Sequence, residues 1–353
     1  MGGGRAARAY IGSFTSAGGH GITTASVGAD GSLGALHSTR AVTDPSFLAL
    51  SADGGTLYAV SETEDGAAVA LDLGADRDRP APMGRAVPVG GDSPTHLALA
   101  ADHLVTANYG SGSVSVLPVR EDGGLGAPTA VHRHRGSGPN TGRQEGPHAH
   151  AVLPDPSGRW VLAVDLGTDS VYVHALDPRT GSLNPHRETE LRPGSGPRHL
   201  VFHPAGDRAY VINELEPTVT ACRWDAETGE LTPAGESPVV PAGAEGERFP
   251  SEIVISRDGR FLWAANRGHD SIAVLALDGP AGTPRLVTTV GCGGHWPRHL
   301  ALGPDGGTLY AANERSGDVT WFTVDPATGV PRRSGSLEAP AASCVVFGRP
   351  EPA

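Results

Sequence analysis

The feature that most constrains this chain is a repeat. A proline is followed by a short apolar run, a polar turn, a second apolar run and a polar residue. Copies start at Pro45 (PSFLALSADGGTLYAVSE), Pro94, Pro147 (PHAHAVLPDPSGRWVLAVDLG), Pro197 (PRHLVFHPAGDRAYVINEL), Pro250 and Pro297, with a half-copy at Pro340 (PAASCVVF). A period of roughly 50 residues belongs to arrays and propellers. Turns such as SRDGR and GPDGG join the paired runs into hairpins, and a third alternating run follows, as in SVYVHAL and DVTWFTV. With a fourth short strand before the next proline, each unit is a propeller blade of four antiparallel strands, A to D from the axis outward.

The two ends of the chain fit one another. RAYIGSF near the N-terminus reads like the second strand of a unit, as RAYVINE does at Arg208 to Glu214. The C-terminal half-copy supplies only a first strand. Pairing the two completes a composite blade, leaves no open edge and predicts an all-β, seven-bladed propeller over 1–353 as one domain.

Composition narrows the function. The formal net charge is −12 and all 27 strong cations are arginine. A nucleic-acid partner is not expected, and Schiff-base chemistry on a lysine is excluded. Arginine suits a bidentate grip on carboxylate or phosphate. The three cysteines, Cys222, Cys292 and Cys344, are far apart and lack CxxC spacing, which reads as a reducing compartment. MGGGRAARAY has no apolar core of a signal peptide, and no run is long enough to span a membrane. The expectation is a cytoplasmic monomer or small homo-oligomer without membrane association.

Connectivity places the start of each A strand and the end of each B strand at one mouth. Counting from the prolines, the first slot holds Ser46, Thr95, His148, Arg198, Ser251, Arg298 and Ala341. The second holds Phe47, His96, Ala149, His199, Glu252, His299 and Ala342, and the slot closing strand B holds Phe14, Glu62, Tyr109, Leu166, Glu214, Arg267 and Glu314. Charges gather in the copies from Pro147 to Pro297. Ionisable groups in a concave site point to a small-molecule site more than to a scaffold. In this count His150 falls where other copies carry Leu48, Leu97, Leu200 and Ile253, and reads equally as a hydrogen-bonded core histidine. Asp165 and Asp169 in DLGTD read as turn and inter-blade acceptors more simply than as calcium ligands. His148 and His150 alone make a weak zinc signal.

RQEGPHAH, DLGTD, GSGPRHLVFHP, YVINEL, FPSEIVISRDGRFLWAANRGHDSIAV and PRHLALGPDG together resemble the seven-bladed lactonases. That group includes propeller-type 6-phosphogluconolactonases and carboxy-cis,cis-muconate lactonizing enzymes. The resemblance implies catalytic roles for His148 or His150, Glu214 and Arg267, with Arg198 binding substrate. His199, Glu252, Asn266, Arg298, Glu314 and Arg143 are further expected binding residues. Glu314 stands where the family would carry a neutral amide, and an added carboxylate there would repel an anionic substrate. The implied reaction is metal-independent acid/base hydrolysis of a sugar-derived lactone, with no cofactor and a small, anionic substrate. Glu214 or His148 is the expected general base, and arginines stabilise the oxyanion. A lactonizing or cyclizing isomerase uses the same groups in the other direction, and a propeller that only binds a partner is the non-enzymatic alternative.

Overall fold

The computed structural model describes residues 7–74, 76–279 and 282–348. It is a ring of seven antiparallel sheets. Blade 1 is composite: its A strand, Ala342–Phe347, pairs with its B strand, Arg8–Ser13, in the register Tyr10↔Val346 and Gly12↔Cys344. Blades 2 to 7 follow in chain order. Their A strands are Leu48–Leu50, Pro94–Ala100, Ala149–Pro154, Pro197–Phe202, Phe249–Ile255 and Pro297–Leu302. Their B strands are Thr56–Ser61, His103–Asn108, Trp160–Asp165, Arg208–Asn213, Phe261–Arg267 and Thr308–Asn313. In blade 2 the outermost strand is split into Ala81–Pro82 and Val87–Pro88, both paired with Ala67–Asp72.

The core is divided among the blade interfaces. Because strand side chains alternate, Tyr10 of blade 1 packs toward blade 2 and its neighbour Ile11 toward blade 7. Inner strands are buried on both faces, which is why their sequences read as nearly continuous apolar runs. A polar latch recurs at the third B-strand position. The hydroxyl of Tyr58 donates to the Gly123 carbonyl at 2.9 Å, Tyr210 to Gly282 at 3.0 Å and Tyr310 to Gly31 at 2.7 Å, each in the following blade. The last of these ties blade 7 to blade 1 and reinforces the closure. The A–B turn of blade 6 needs Gly259 at φ +72°, and Asp258 accepts from the Arg260 amide at 3.1 Å beside it.

The pairing register corrects the slot assignment in two blades. Pro197 faces Asn213 and His199 faces Ile212 in blade 5; in blade 4 Ala149 faces Asp165 and Ala151 faces Val164. His150 therefore occupies the slot of Arg198, Ala151 that of His199, and Val152 that of Leu200. His148 lies one residue before the strand, where its carbonyl accepts the Leu166 amide as the Gly196 carbonyl accepts the Glu214 amide. Blade 1 is offset in the same way: Ala342 faces Ser13, so Ser343 and Cys344 fill its two slots. In both copies the proline sits two residues ahead of the strand, and counting from it shifts the register.

Candidate active site

At the mouth, Glu214 follows the B strand of blade 5 and is 4% exposed. Its Oε1 is 2.6 Å from Arg143 Nη2; its Oε2 is 2.7 Å from Arg267 Nη2 and 3.0 Å from Arg198 Nε. Arg198 and Arg267 are held by backbone carbonyls of blade 6, and Arg143 by a side-chain hydroxyl. Arg198, from the first slot of blade 5, also donates to the Ser251 carbonyl of blade 6. Arg267, closing the B strand of blade 6, donates through Nε to the Phe249 carbonyl at 3.1 Å and lies over the Trp296 ring at 5.6 Å. Arg143 comes from the loop ahead of blade 4 and reaches the Tyr109 hydroxyl at 3.4 Å.

The charge balance of this cluster is uneven. Burial would raise the Glu214 carboxyl, but Arg267, Arg198 and Arg143 outweigh it and hold the group at about 2. From the other side the cations are under-compensated. Burial and the neighbouring Arg267 bring Arg198 down to about 9, and burial also lowers Arg267. Both remain charged at neutral pH. One carboxylate thus sits among three guanidiniums, a buried surplus of positive charge.

Across the mouth, Arg298 has the opposite surroundings. Glu62 lies 3.7 Å and Glu314 3.5 Å from its guanidinium, which also covers the Phe14 ring at 4.9 Å. Burial raises the Glu62 carboxyl against the pull of Arg298. Glu314, the departure noted in the sequence, is engaged with Arg298 rather than with the three-arginine cluster.

One residue deeper, the second slots form an axial ring of Phe47, His96, His199, Glu252 and His299, with His150 beside it. His199 Nδ1 is 2.9 Å from Glu252 Oε1, and His299 Nε2 is 3.4 Å from Oε2. The His199 ring lies 5.1 Å from that of His96 and 5.2 Å from that of His150. Burial is the leading cause that drives His96, His150 and His199 well below 6.5 and His299 to about 4. All four are neutral at pH 7.

His148 sits at the rim. Its ring stacks on Tyr109 with centroids 4.4 Å apart, Nδ1 is 3.0 Å from the Tyr109 carbonyl oxygen and Nε2 is 3.3 Å from Glu145. Its amide donates to Asp165 Oδ1 at 2.8 Å, and Asp165 Oδ2 is 2.6 Å from His134 Nδ1. Asp169 accepts from Gln144 and from the Gly194 and Gly196 amides, anchoring the approach to Arg198. Both aspartates thus act as turn and inter-blade acceptors. Asn266 is turned into its blade: Nδ2 donates to the Val239 carbonyl at 2.9 Å and to Ser271 at 3.2 Å. Asn108, Asn213 and Asn313 make similar B-to-C strand links, so Asn266 is an architectural pin and not a mouth residue.

The structure therefore brings together Glu214, Arg143, Arg198 and Arg267, with His199, Glu252 and His150 beneath them. Arg298 and Glu314 form a separate acidic side, and His148 stands beside Tyr109. Sequence reasoning did not single out Glu62, Tyr109, His96 or His299, although all lie in the mouth slots; slot membership was the available signal. It also missed Trp296, whose indole supports Arg267 and also lies 3.3 Å from Arg315. Among the described residues no group of three or more His, Cys, Asp or Glu side chains is placed to hold a metal ion. A separate open groove of about 980 Å³ lies between the outer strands of blades 3 and 4, near His132, His134 and His174; none of the mouth arginines lines it.

The family model described as lactonase, 7-bladed beta-propeller, matches residues 8–347. The chain belongs to the seven-bladed β-propeller lactonases. The 6-phosphogluconolactonase of Bacillus subtilis is 33% identical over 279 residues, 77% of this chain and 78% of the relative. The crystal structure of a putative 6-phosphogluconolactonase from Bacteroides fragilis superposes with a TM-score of 0.90 at 30% identity, covering 97% and 98% of the two chains. The periplasmic gluconolactonase of Pseudomonas aeruginosa gives a TM-score of 0.91 at 31% identity, covering 98% and 99%. This lactonase is thus a lactone-hydrolysing enzyme by family. Its cysteines are free and buried, and among the described residues no helix is long and apolar enough to cross a membrane.

Proposed function

We propose that the three-arginine mouth hydrolyses a sugar-derived 1,5-lactone, with 6-phosphogluconolactone the leading substrate. The observation that carries this reading is the surplus of buried positive charge around Glu214. Lactone hydrolysis converts a neutral carbonyl to a tetrahedral oxyanion and then to a carboxylate. Cations already fixed by backbone carbonyls stabilise that charge without reorganising at the moment of reaction. Arg198 and Arg267 are the nearest such donors, and Arg143, partly exposed, is placed to meet an anionic group at the substrate's far end. On the Arg298 side, Glu62 and Glu314 suit the hydroxyls of a sugar chain. The curated relatives named 6-phosphogluconolactonase support the phosphorylated substrate, and the gluconolactonase neighbour makes the unphosphorylated lactone the proper comparison.

Glu214 has a particular part in this reading. A carboxylate held at about 2 by three guanidiniums is a poor proton acceptor, so it serves as the anchor that sets the arginines. The test is hydrolysis of 6-phosphogluconolactone and of gluconolactone, each corrected for spontaneous opening, by wild type and Arg267→Ala. Loss of an oxyanion-stabilising donor typically lowers turnover by about 10²–10³. Wild-type activity on neither lactone would overturn the reading.

A further inference from the structure

With Glu214 committed to arginines, the site needs another group to activate water, and the geometry leaves few. Glu62 and Glu314 face Arg298. Glu252 accepts from His199, from the Ile253 amide at 2.9 Å and, at longer range, from His299. The Val152 amide approaches His96 Nδ1, and the Val345 amide approaches His299 Nδ1, both at 3.4 Å. Those nitrogens are acceptors, so in the neutral rings the proton sits on Nε2, which cannot accept another. His148 donates through Nδ1 to a carbonyl, and its Nε2 already faces Glu145. His150 and His199 remain, each with one buried nitrogen lacking a protein hydrogen-bond partner: Nδ1 in His150 and Nε2 in His199.

Only His199 of these two has an orienting carboxylate. We propose that His199, held by Glu252, is the general base that takes the proton from the attacking water. This rests on the lactone-hydrolysis reading above. Glu252 accepts the Nδ1 proton and so leaves the Nε2 lone pair free, the arrangement by which a third group orients a catalytic base. Glu252 is here a positioning residue. A buried acceptor without a donor is unfavourable, and water brought in with the substrate supplies one. His199 Nε2 takes a proton from that water as its oxygen bonds to the lactone carbonyl carbon. The tetrahedral intermediate then expels the ring oxygen, which takes the proton back from Nε2. The product is the open hydroxy acid, ionised in solution, and His199 is regenerated. Arg198, adjacent in the same strand, and Arg267 receive the oxyanion.

The groups that set the basicity of His199 come from every surrounding blade: His96, His150, Arg198 and Glu214, Glu252 and Arg267, and His299 and Arg298. The experiment is the pH profile of kcat/KM on 6-phosphogluconolactone and gluconolactone for wild type, His199→Gln, Glu252→Gln and Glu214→Gln, with circular dichroism to confirm folding. The expected result is a fall of about 10²–10⁴ in His199→Gln with loss of the acid limb. Glu252→Gln should be slower than wild type with its acid limb displaced to lower pH, because the imidazolium loses its carboxylate. Glu214→Gln should be slower but retain an acid limb, displaced to lower pH because the Glu214 charge also favours the His199 imidazolium. Full activity in folded His199→Gln, or an acid limb that disappears only in Glu214→Gln, would overturn the assignment while leaving lactone hydrolysis standing. A wild type inactive on both lactones would remove the underlying reading and this inference with it.

Discussion

Replacing Glu214 by glutamine keeps its shape and removes its charge, and the consequence for stability follows from the structure. The carboxyl falls from 4.5 to about 2 on folding. At about 1.4 kcal/mol for each tenfold change in proton affinity, this corresponds to about 3 kcal/mol. The sign is that of a depressed carboxylate: the stabilisation is fully present above pH 4.5 and disappears as pH falls through about 2. The variant also leaves Arg198 and Arg267, 2% and 7% exposed, buried beside one another without an anion. Breaking a buried pair in this way costs about 3–5 kcal/mol. Arg143 adds little, because its side chain is 38% exposed and can turn to water. Urea unfolding at pH 7 should therefore show Glu214→Gln less stable than wild type by about 3–5 kcal/mol. Phosphate or gluconate should restore part of the loss by supplying an anion to the arginines. A variant within about 1 kcal/mol of wild type would refute the claim that Glu214 anchors the cluster.

Two further outcomes follow from other parts of the molecule. Stability should decline as pH falls below about 6.5, because the unfolded chain takes protons that buried His299, held to about 4, and His174, held to about 3, refuse; between pH 6.5 and 4.5 this loss precedes that of Glu214, and His174→Leu, which removes an imidazole with both nitrogens unpartnered, should flatten the curve in urea titrations run at a series of pH values. Tyr310→Phe removes the 2.7 Å latch from blade 7 to Gly31 of blade 1 and leaves a carbonyl without that partner, so a loss of about 1–2 kcal/mol is expected, with faster hydrogen exchange in Arg8–Ser13 than elsewhere; uniform exchange at wild-type rates would show that the latch does not secure the closure.

What the sequence determined by itself is the ring. Apolar runs of strand length, turns of the SRDGR type and a period near 50 residues dictate blades, because each blade can bury its two faces only against neighbours. The unmatched half-copy at Pro340 and the orphan RAYIGSF dictate closure. The repeat also named the positions that converge on the mouth, and Glu214, Arg198 and Arg267 were legible there because charge stood out against uniformly apolar flanks. Three things were decided only by tertiary structure. The register of blade 4 was one: Pro147 looks like its sister prolines, but strand pairing begins at Ala149, which moves His150 into the Arg198 slot. The direction of Asn266 was another, since its site beside Arg267 hides a side chain turned into the blade. The third was the pairing of charges. Sequence position places four glutamates and several arginines around one opening, yet their chemistry depends on distances across blades far apart in the chain. Those distances assign three arginines to Glu214, two glutamates to Arg298 and Glu252 to His199, and so separate a carboxylate that organises cations from an imidazole free to accept a proton.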